Sequence, residues 1–217
     1  MGSEMSKQSE LCTGIRSALA ALIATCALAF GAPDAKAQFA EATACDLMAG
    51  HPVDPDRVVP GNERADIDLE AAIATCKEVR AAAPNHARTN YNLGRVLFYS
   101  GREAEAIPYL ERASASGYRQ AIFVLGIIRS GPWAEPCKSM ANLRRAITLD
   151  HPFAGHTLVM DTLAGRFDAC ADKPGAAELR QAMSLALDTI SLAESRGRVE
   201  ENRDNLEKHL GAGEETD

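Results

Sequence analysis

A self-similarity with a period near 33 residues runs through the middle of this chain and constrains its fold more than any other feature. Leu93-Gly94 recurs as Leu125-Gly126 at a shift of 32, while Leu110 and Ala113 recur as Leu143 and Ala146 at a shift of 33. Ala121 and Leu125 fall in the same way on Ala154 and Leu158. Such a period marks stacked supersecondary units, each too small to bury its apolar face alone. In the clearest unit, Leu93, Val96 and Leu97 form the apolar stripe of a helix over about residues 87–99, and Ser100-Gly101-Arg102 makes a turn. Ala106, Ile107, Leu110 and Ala113 then mark a second helix that Gly117 terminates, so the unit is expected to be an antiparallel hairpin. Gly94 costs its helix about 1 kcal/mol relative to alanine. The expected gain is a close approach of the two helices at Gly94 and Ala106, which a leucine at position 94 would overpack.

The residues that fix this phase, Leu93, Gly94, Leu97, Ala106, Leu110 and Ala113, resemble the tetratricopeptide repeat, with Pro84 closing a preceding helix over 67–81. Ala121, Leu125, Gly126 and Gly131 are more similar to the Sel-one-like variant of that repeat. The resemblance covers residues 67–166 and implies an all-α fold of stacked antiparallel helical hairpins, an alpha-alpha superhelix. Leu179, Met183, Leu187 and Ile190 recur at helical spacing, so one long helix over 176–196 is expected to cap the last repeat within a C-terminal cap of residues 167–210. Past Gly197 a charged stretch with Val199, Leu206 and Leu210 reads as a frayed or partner-dependent helix, and residues 211–217 as a disordered tail.

The N-terminus belongs to a different class. Lys7 and Arg16 precede an apolar stretch too short to cross a bilayer, and Ala35-Lys36-Ala37 has the small residues of a cleavage site. Residues 1–37 therefore read as a secretory signal peptide, with the mature chain starting near Gln38 and periplasmic or secreted. The removed segment has three cations and three anions, so the mature chain keeps the whole charge of -7. That balance argues against nucleic acid and anionic membrane surfaces. No later segment could insert in a membrane.

Four cysteines remain: Cys45 in an N-terminal extension of residues 38–66, Cys76, Cys137 and Cys170. Four allow three pairings. The intervals of 31 residues from Cys45 to Cys76 and 33 from Cys137 to Cys170 are close to one repeat, which favours sequential pairing. An antiparallel hairpin over 137–149 and 153–166 would bring Cys137 near Cys170, and Cys45 would pin the segment HPVDPDRVVPG onto the first helix of the stack.

Candidate chemistry is thin. His151 and His156 are five apart with Pro152 between them, which suits helix-entry or surface histidines better than a metal pair. No serine lies in a nucleophile elbow or an SxxK context, no CxxC is present, and no cofactor is implied. Disulfide-rich Sel-one-like proteins have been linked with beta-lactam binding, so a hydrolase of that type stands as an alternative implied by the resemblance. A structural subunit whose groove is filled by its own C-terminal helix is another.

The leading site is a stripe along the first helix of the clear repeat. Arg88, Asn92, Arg95 and Tyr99, at spacings of four, three and four, share one face, which in the family it resembles lines the concave groove. Two guanidiniums, an amide and a phenol suit a carboxylate or the backbone of an extended peptide. One repeat on, Gln120, Val124 and Ile127 replace Arg88, Asn92 and Arg95, so the groove should turn apolar. Trp133 is expected to pack over a helix end or to serve as an exposed anchor. The function expected is a scaffold that binds a protein or peptide through its concave face.

Overall fold

Helices begin where side chains satisfy the free backbone donors of a first turn. In the computed structural model, which describes residues 41–131, 134–190 and 193–214, Thr43 and Asp46 form a reciprocal capping box that opens α1, Ala44–Ala49. A short 3-10 turn at Arg64–Asp66 leads to α2, Leu69–Ala82, where the Asp68 carboxylate accepts from the Ala71 amide at 3.1 Å. His86 plays the same part for α3, Ala87–Tyr99, by accepting from the Thr89 amide at 3.2 Å. Then follow α4 at Glu103–Ala115, α5 at Arg119–Ser130, α6 at Pro136–Thr148, α7 at Ala154–Leu163, α8 at Ala176–Thr189 and α9 at Ala193–Glu214. Among the described residues there is no strand.

Consecutive helices pack against each other along the chain, as an alpha-alpha repeat requires, and α1 also packs on α3. The turns repeat with the helices. Gly101 (φ 77°) and Gly117 (φ 81°) take the left-handed conformation after α3 and α4, and 33 residues later Ala134 (φ 47°) and Asp150 (φ 56°) take it again. At Gly117 the Tyr118 amide reaches back to the Ala113 carbonyl at 3.1 Å, and at Asp150 the His151 amide reaches Ala146 at 3.0 Å. The hairpin geometry therefore persists where the glycine signature has been lost.

The glycines meet their neighbours as the repeat predicts, with one change of detail. A Cβ on Gly94 would lie 2.8 Å from Leu110 and 3.3 Å from the Ala106 carbonyl oxygen, so Leu110 is the foremost contact and Ala106 the second. Gly126 repeats this, 2.9 Å from Leu143. Beside it the buried Ser139 hydroxyl donates to the Gly126 carbonyl at 2.7 Å, fixing α6 on α5. Leu93, Leu97, Leu110, Leu143 and Leu158 are fully buried, and each contributes roughly 1.5–3 kcal/mol.

Both disulfides pair sequentially. Cys45 is bonded to Cys76 with Cα atoms 4.6 Å apart, tying α1 to α2, and Cys137 to Cys170 with Cα atoms 5.6 Å apart, closing the α6–α7 hairpin. Loops of this size give about 3–4 kcal/mol in the chain-entropy account. The C-terminal cap differs from the expected single helix. Ile190 leaves the helical conformation, and its buried side chain plugs the end of α8. The break lets α9 fold back on α7 and α8, burying Val199 and Leu206; an unbroken helix would have carried both away from the core. The helix continues to Glu214, four residues into the expected tail. Residues 1–37 of the expected signal peptide, Trp133 and residues 215–217 lie outside the described residues. No described helix is long and apolar enough to cross a membrane.

Candidate functional site

The stripe on α3 is assembled as its spacing predicts, but this chain's own N-terminal extension occupies it. Arg88 is 2% exposed and its Nε donates to Asp46 Oδ1 at 2.8 Å. Asn92 Nδ2 donates to the same oxygen at 2.8 Å, while its Oδ1 is buried without a hydrogen-bond partner among the described residues. Arg95 continues the pattern onto backbone. Its Nη1 donates to the Ala49 and Gly50 carbonyls and its Nη2 to the Asn62 carbonyl, each at 2.8 Å. Its Nε donates to the Tyr99 hydroxyl at 3.3 Å, and the guanidiniums of Arg64 and Arg95 lie 5.1 and 5.0 Å from the Tyr99 ring centre. A carboxylate and a stretch of backbone carbonyls are the acceptors this donor row suits. They come from residues 46–62 of the same chain, so Arg95 is no free contact for a partner, and the C-terminal helices are not what covers the row.

The covering segment is a loop over residues 50–62, closed at its neck by the Asn62 amide donating to the Gly50 carbonyl at 2.8 Å. Gly61 (φ 83°) makes that closure possible, since a Cβ there would lie 2.6 Å from the Pro52 nitrogen. From the neck the loop crosses the starts of successive hairpins. The Tyr118 hydroxyl donates to the buried Asp54 carboxylate at 2.5 Å, and Arg119 grips Asp56 with two bonds of 2.6 and 3.0 Å. Further along, Pro52, Val53, Pro55 and Arg57 share a cleft of about 240 Å³ with Pro152, Phe153, Thr189 and Ile190.

Beside the loop a cavity of about 410 Å³ remains open. Its walls are Phe98 of α3, Leu110 of α4, and Phe123, Val124, Ile127 and Ile128 of α5. His51 and Val53 of the loop line one side, and Tyr91, Arg95, Tyr99 and Gln120 form the polar edge. The apolar turn expected from Val124 and Ile127 is thus present, and Ile127 is 46% exposed. Gln120 is buried and faces inward: its Oε1 accepts from His151 Nε2 at 2.8 Å, with Tyr91 bonded to the same side chain. His151 in turn stacks on Phe123, ring centres 4.1 Å apart. His156 is separate from it, bonded to Asn202 at 2.8 Å.

Asp46, Asp54, Asp56 and His51 were not singled out in the sequence, because they lie outside the repeat's helices and carry no spacing rule, and His151 was read only as a helix-entry or surface histidine. One signal could have found the aspartates: the extension is rich in them, and the repeat face that follows is rich in arginine.

Titration around the loop has a definite sign. Burial, with Arg119 adding, lowers His151 to about 3, and burial with Arg95 lowers His51 to about 4. Burial raises Asp54 to about 6, against the opposing hydrogen bond from Tyr118. As pH falls below the 6.5 of an unfolded histidine, the unfolded chain takes up protons that folded His151 and His51 refuse, so stability is lost. Asp54 works the other way between about 6 and its unfolded 3.8, offsetting half-exposed His51. His156, lowered by burial with Arg198 adding, acts in the same direction as His151, so the loss on acidification outweighs the gain from Asp54. The urea midpoint is expected to fall between pH 7 and pH 4.5, and His151→Gln, which keeps a donor for Gln120, should flatten that fall. An equal fall in the variant would place the acid-sensitive group elsewhere.

No protein-family model matches the chain, and no curated protein or solved structure matches it significantly.

Proposed function

We propose that this chain is an exported helical-repeat scaffold of the tetratricopeptide or Sel-one-like kind that binds a protein or peptide through the face formed by α3 and α5. One observation carries the reading: an apolar cavity of about 410 Å³ lies open on that face, with the exposed Ile127 at its edge. Exposed apolar surface rimmed by polar groups marks interaction sites more often than it marks bare solvent contact. A second support is that donors of this face already hold polypeptide groups, the Ala49, Gly50 and Asn62 carbonyls and the Asp46 carboxylate of α1. Export is supported by two disulfides, which persist in oxidising compartments. The first residue of the mature chain is proposed to be Gln38.

Ile127→Arg tests the binding face without disturbing the core, since the side chain is half exposed. Affinity capture from the exported fraction of the native host, compared between wild type and Ile127→Arg, is expected to show a partner retained by the first and depleted at least ten-fold by the second. Equal retention by both removes the site from this face.

A further inference from the structure

We infer that the cavity beside the loop holds a small apolar monocarboxylate, an alkanoic or arylalkanoic acid, with its head at Tyr99 and His51 and its body against α5. This goes beyond the partner reading and does not rest on it. The volume of about 410 Å³ lies in the lower part of the roughly 300–1,000 Å³ range of small-ligand sites. Phe123, Val124, Ile127 and Ile128 wall it with hydrocarbon, which favours an alkyl chain or a phenyl ring there.

The charge of the head follows from two guanidiniums. Arg64 and Arg95 lie 5.1 and 5.0 Å from the Tyr99 ring centre. Neither has a carboxylate within ion-pair distance among the described residues, whereas Arg88, Arg102, Arg119 and Arg129 each have one. Arg95 is 4% exposed, and its acceptors, the Tyr99 hydroxyl and the carbonyls of Ala49, Gly50 and Asn62, are all neutral. Its hydrogen-bonding capacity is nearly filled while its charge has no counter-ion. Asp46 is paired with Arg88 and Asp54 is bonded to Tyr118, and neither lines the cavity. A desolvated cation without a counter-ion attracts an anion strongly, because hydrocarbon walls screen the charge poorly.

Donors for that anion line the same cavity. His51 Nδ1 accepts from the Val53 amide at 3.2 Å, which leaves the ring proton on Nε2, and burial with Arg95 keeps the ring neutral at pH 7. The Tyr99 oxygen accepts from Arg95 Nε and so has its own O–H to give. Neither proton has an acceptor among the described residues. A carboxylate would gain two hydrogen bonds and two nearby positive charges, an alcohol would gain less, and an ammonium would meet repulsion. A free acid fits better than the end of a polypeptide, because the α3 donors that could hold a following backbone are taken. Arg88 and Asn92 bond Asp46, and Arg95 has four of its five N–H groups engaged.

Isothermal titration of the disulfide-bonded mature chain tests this with octanoate, octan-1-ol, octylamine, acetate and acetyl-Ala-Ala-Leu as the free acid. Octanoate is expected to bind about ten-fold more tightly than octan-1-ol, and affinity to rise about four-fold per methylene from pentanoate to octanoate. Acetate and octylamine should not bind. Tyr99→Phe keeps the ring, removes the donor and should weaken octanoate about ten-fold. Arg64→Gln, at an exposed residue, should weaken it about three-fold, with octan-1-ol affinity unchanged in both variants. Octan-1-ol binding as tightly as octanoate, an absence of octanoate binding, or octanoate affinity unchanged in both variants overturns the inference. Tighter binding of the peptide than of octanoate also overturns it, by giving the site to a chain terminus. If octanoate binds as expected and capture ignores Ile127, the partner reading alone is lost. If capture depends on Ile127 and octanoate does not bind, this inference alone is lost.

Discussion

Replacing Asp46 by alanine should cost about 3–5 kcal/mol, the usual penalty for removing one partner of a buried ion pair. The carboxylate is 1% exposed and accepts from both Arg88, which is 2% exposed, and Asn92, so its loss removes the acceptor of two buried donors, Arg88 Nε and Asn92 Nδ2. It also removes the carboxylate that accepts from the Thr43 amide in the capping box of α1. Asp46→Asn keeps the shape and loses the charge, and should remain strongly destabilised. Asp46→Leu combined with Arg88→Met should recover part of the loss, because buried ion pairs are commonly replaceable by packed apolar side chains. Urea unfolding measures the ordering of the three, and trypsin cleavage after Arg57, exposed on the loop, should accelerate in Asp46→Ala as α1 and the loop detach. A cost below 1 kcal/mol would mean that α1 and the loop are not anchored through this carboxylate.

Gly155→Ala should cost about 3 kcal/mol, the upper end of the usual overpacking range. A Cβ there would sit 2.2 Å from the Ala182 carbonyl oxygen and 3.0 Å from its carbon, so helix backbone, which cannot rotate away, is the obstacle. The axes of α7 and α8 would have to separate, loosening Leu158, Ala182 and Met183 together. In a chain of this size that loss lowers the melting midpoint by roughly 6–12 °C. Gly94→Ala meets the Leu110 side chain at 2.8 Å, with backbone no nearer than 3.3 Å, so rotation of Leu110 relieves part of the strain and about 1–2 kcal/mol is expected. Parallel denaturant titrations decide between them, and a larger loss at Gly94 than at Gly155 would contradict the contact geometry.

Much of the fold was legible in the chain because its cues are local. Helix α3 occupies Ala87–Tyr99, as the Leu93, Val96 and Leu97 stripe indicates, and the two cysteine pairs follow the repeat interval. The C-terminal break was not legible. Leu187 and Ile190 continue the helical spacing of α8, and only the need to bring Val199 and Leu206 back to α7 ends the helix at Thr189. The stripe on α3 was legible as polar side chains sharing one helix face, whereas the supply of its acceptors by residues 46–62 of the same chain was not.

The sequence by itself determined the helices of the repeat, the hairpin phase, the close approach at Gly94 and the cysteine partners, since each depends on spacing within one unit or between equivalent places in the repeat. The tertiary structure alone decided what the donor row holds. Arg88 meets a carboxylate 42 residues earlier and Tyr118 one 64 residues earlier, both on a segment that lies outside the repeat. A row of donors has the same spacing whether its acceptors come from its own chain or another, and only the path of the 50–62 loop, closed at Gly50 and Asn62, distinguishes the two.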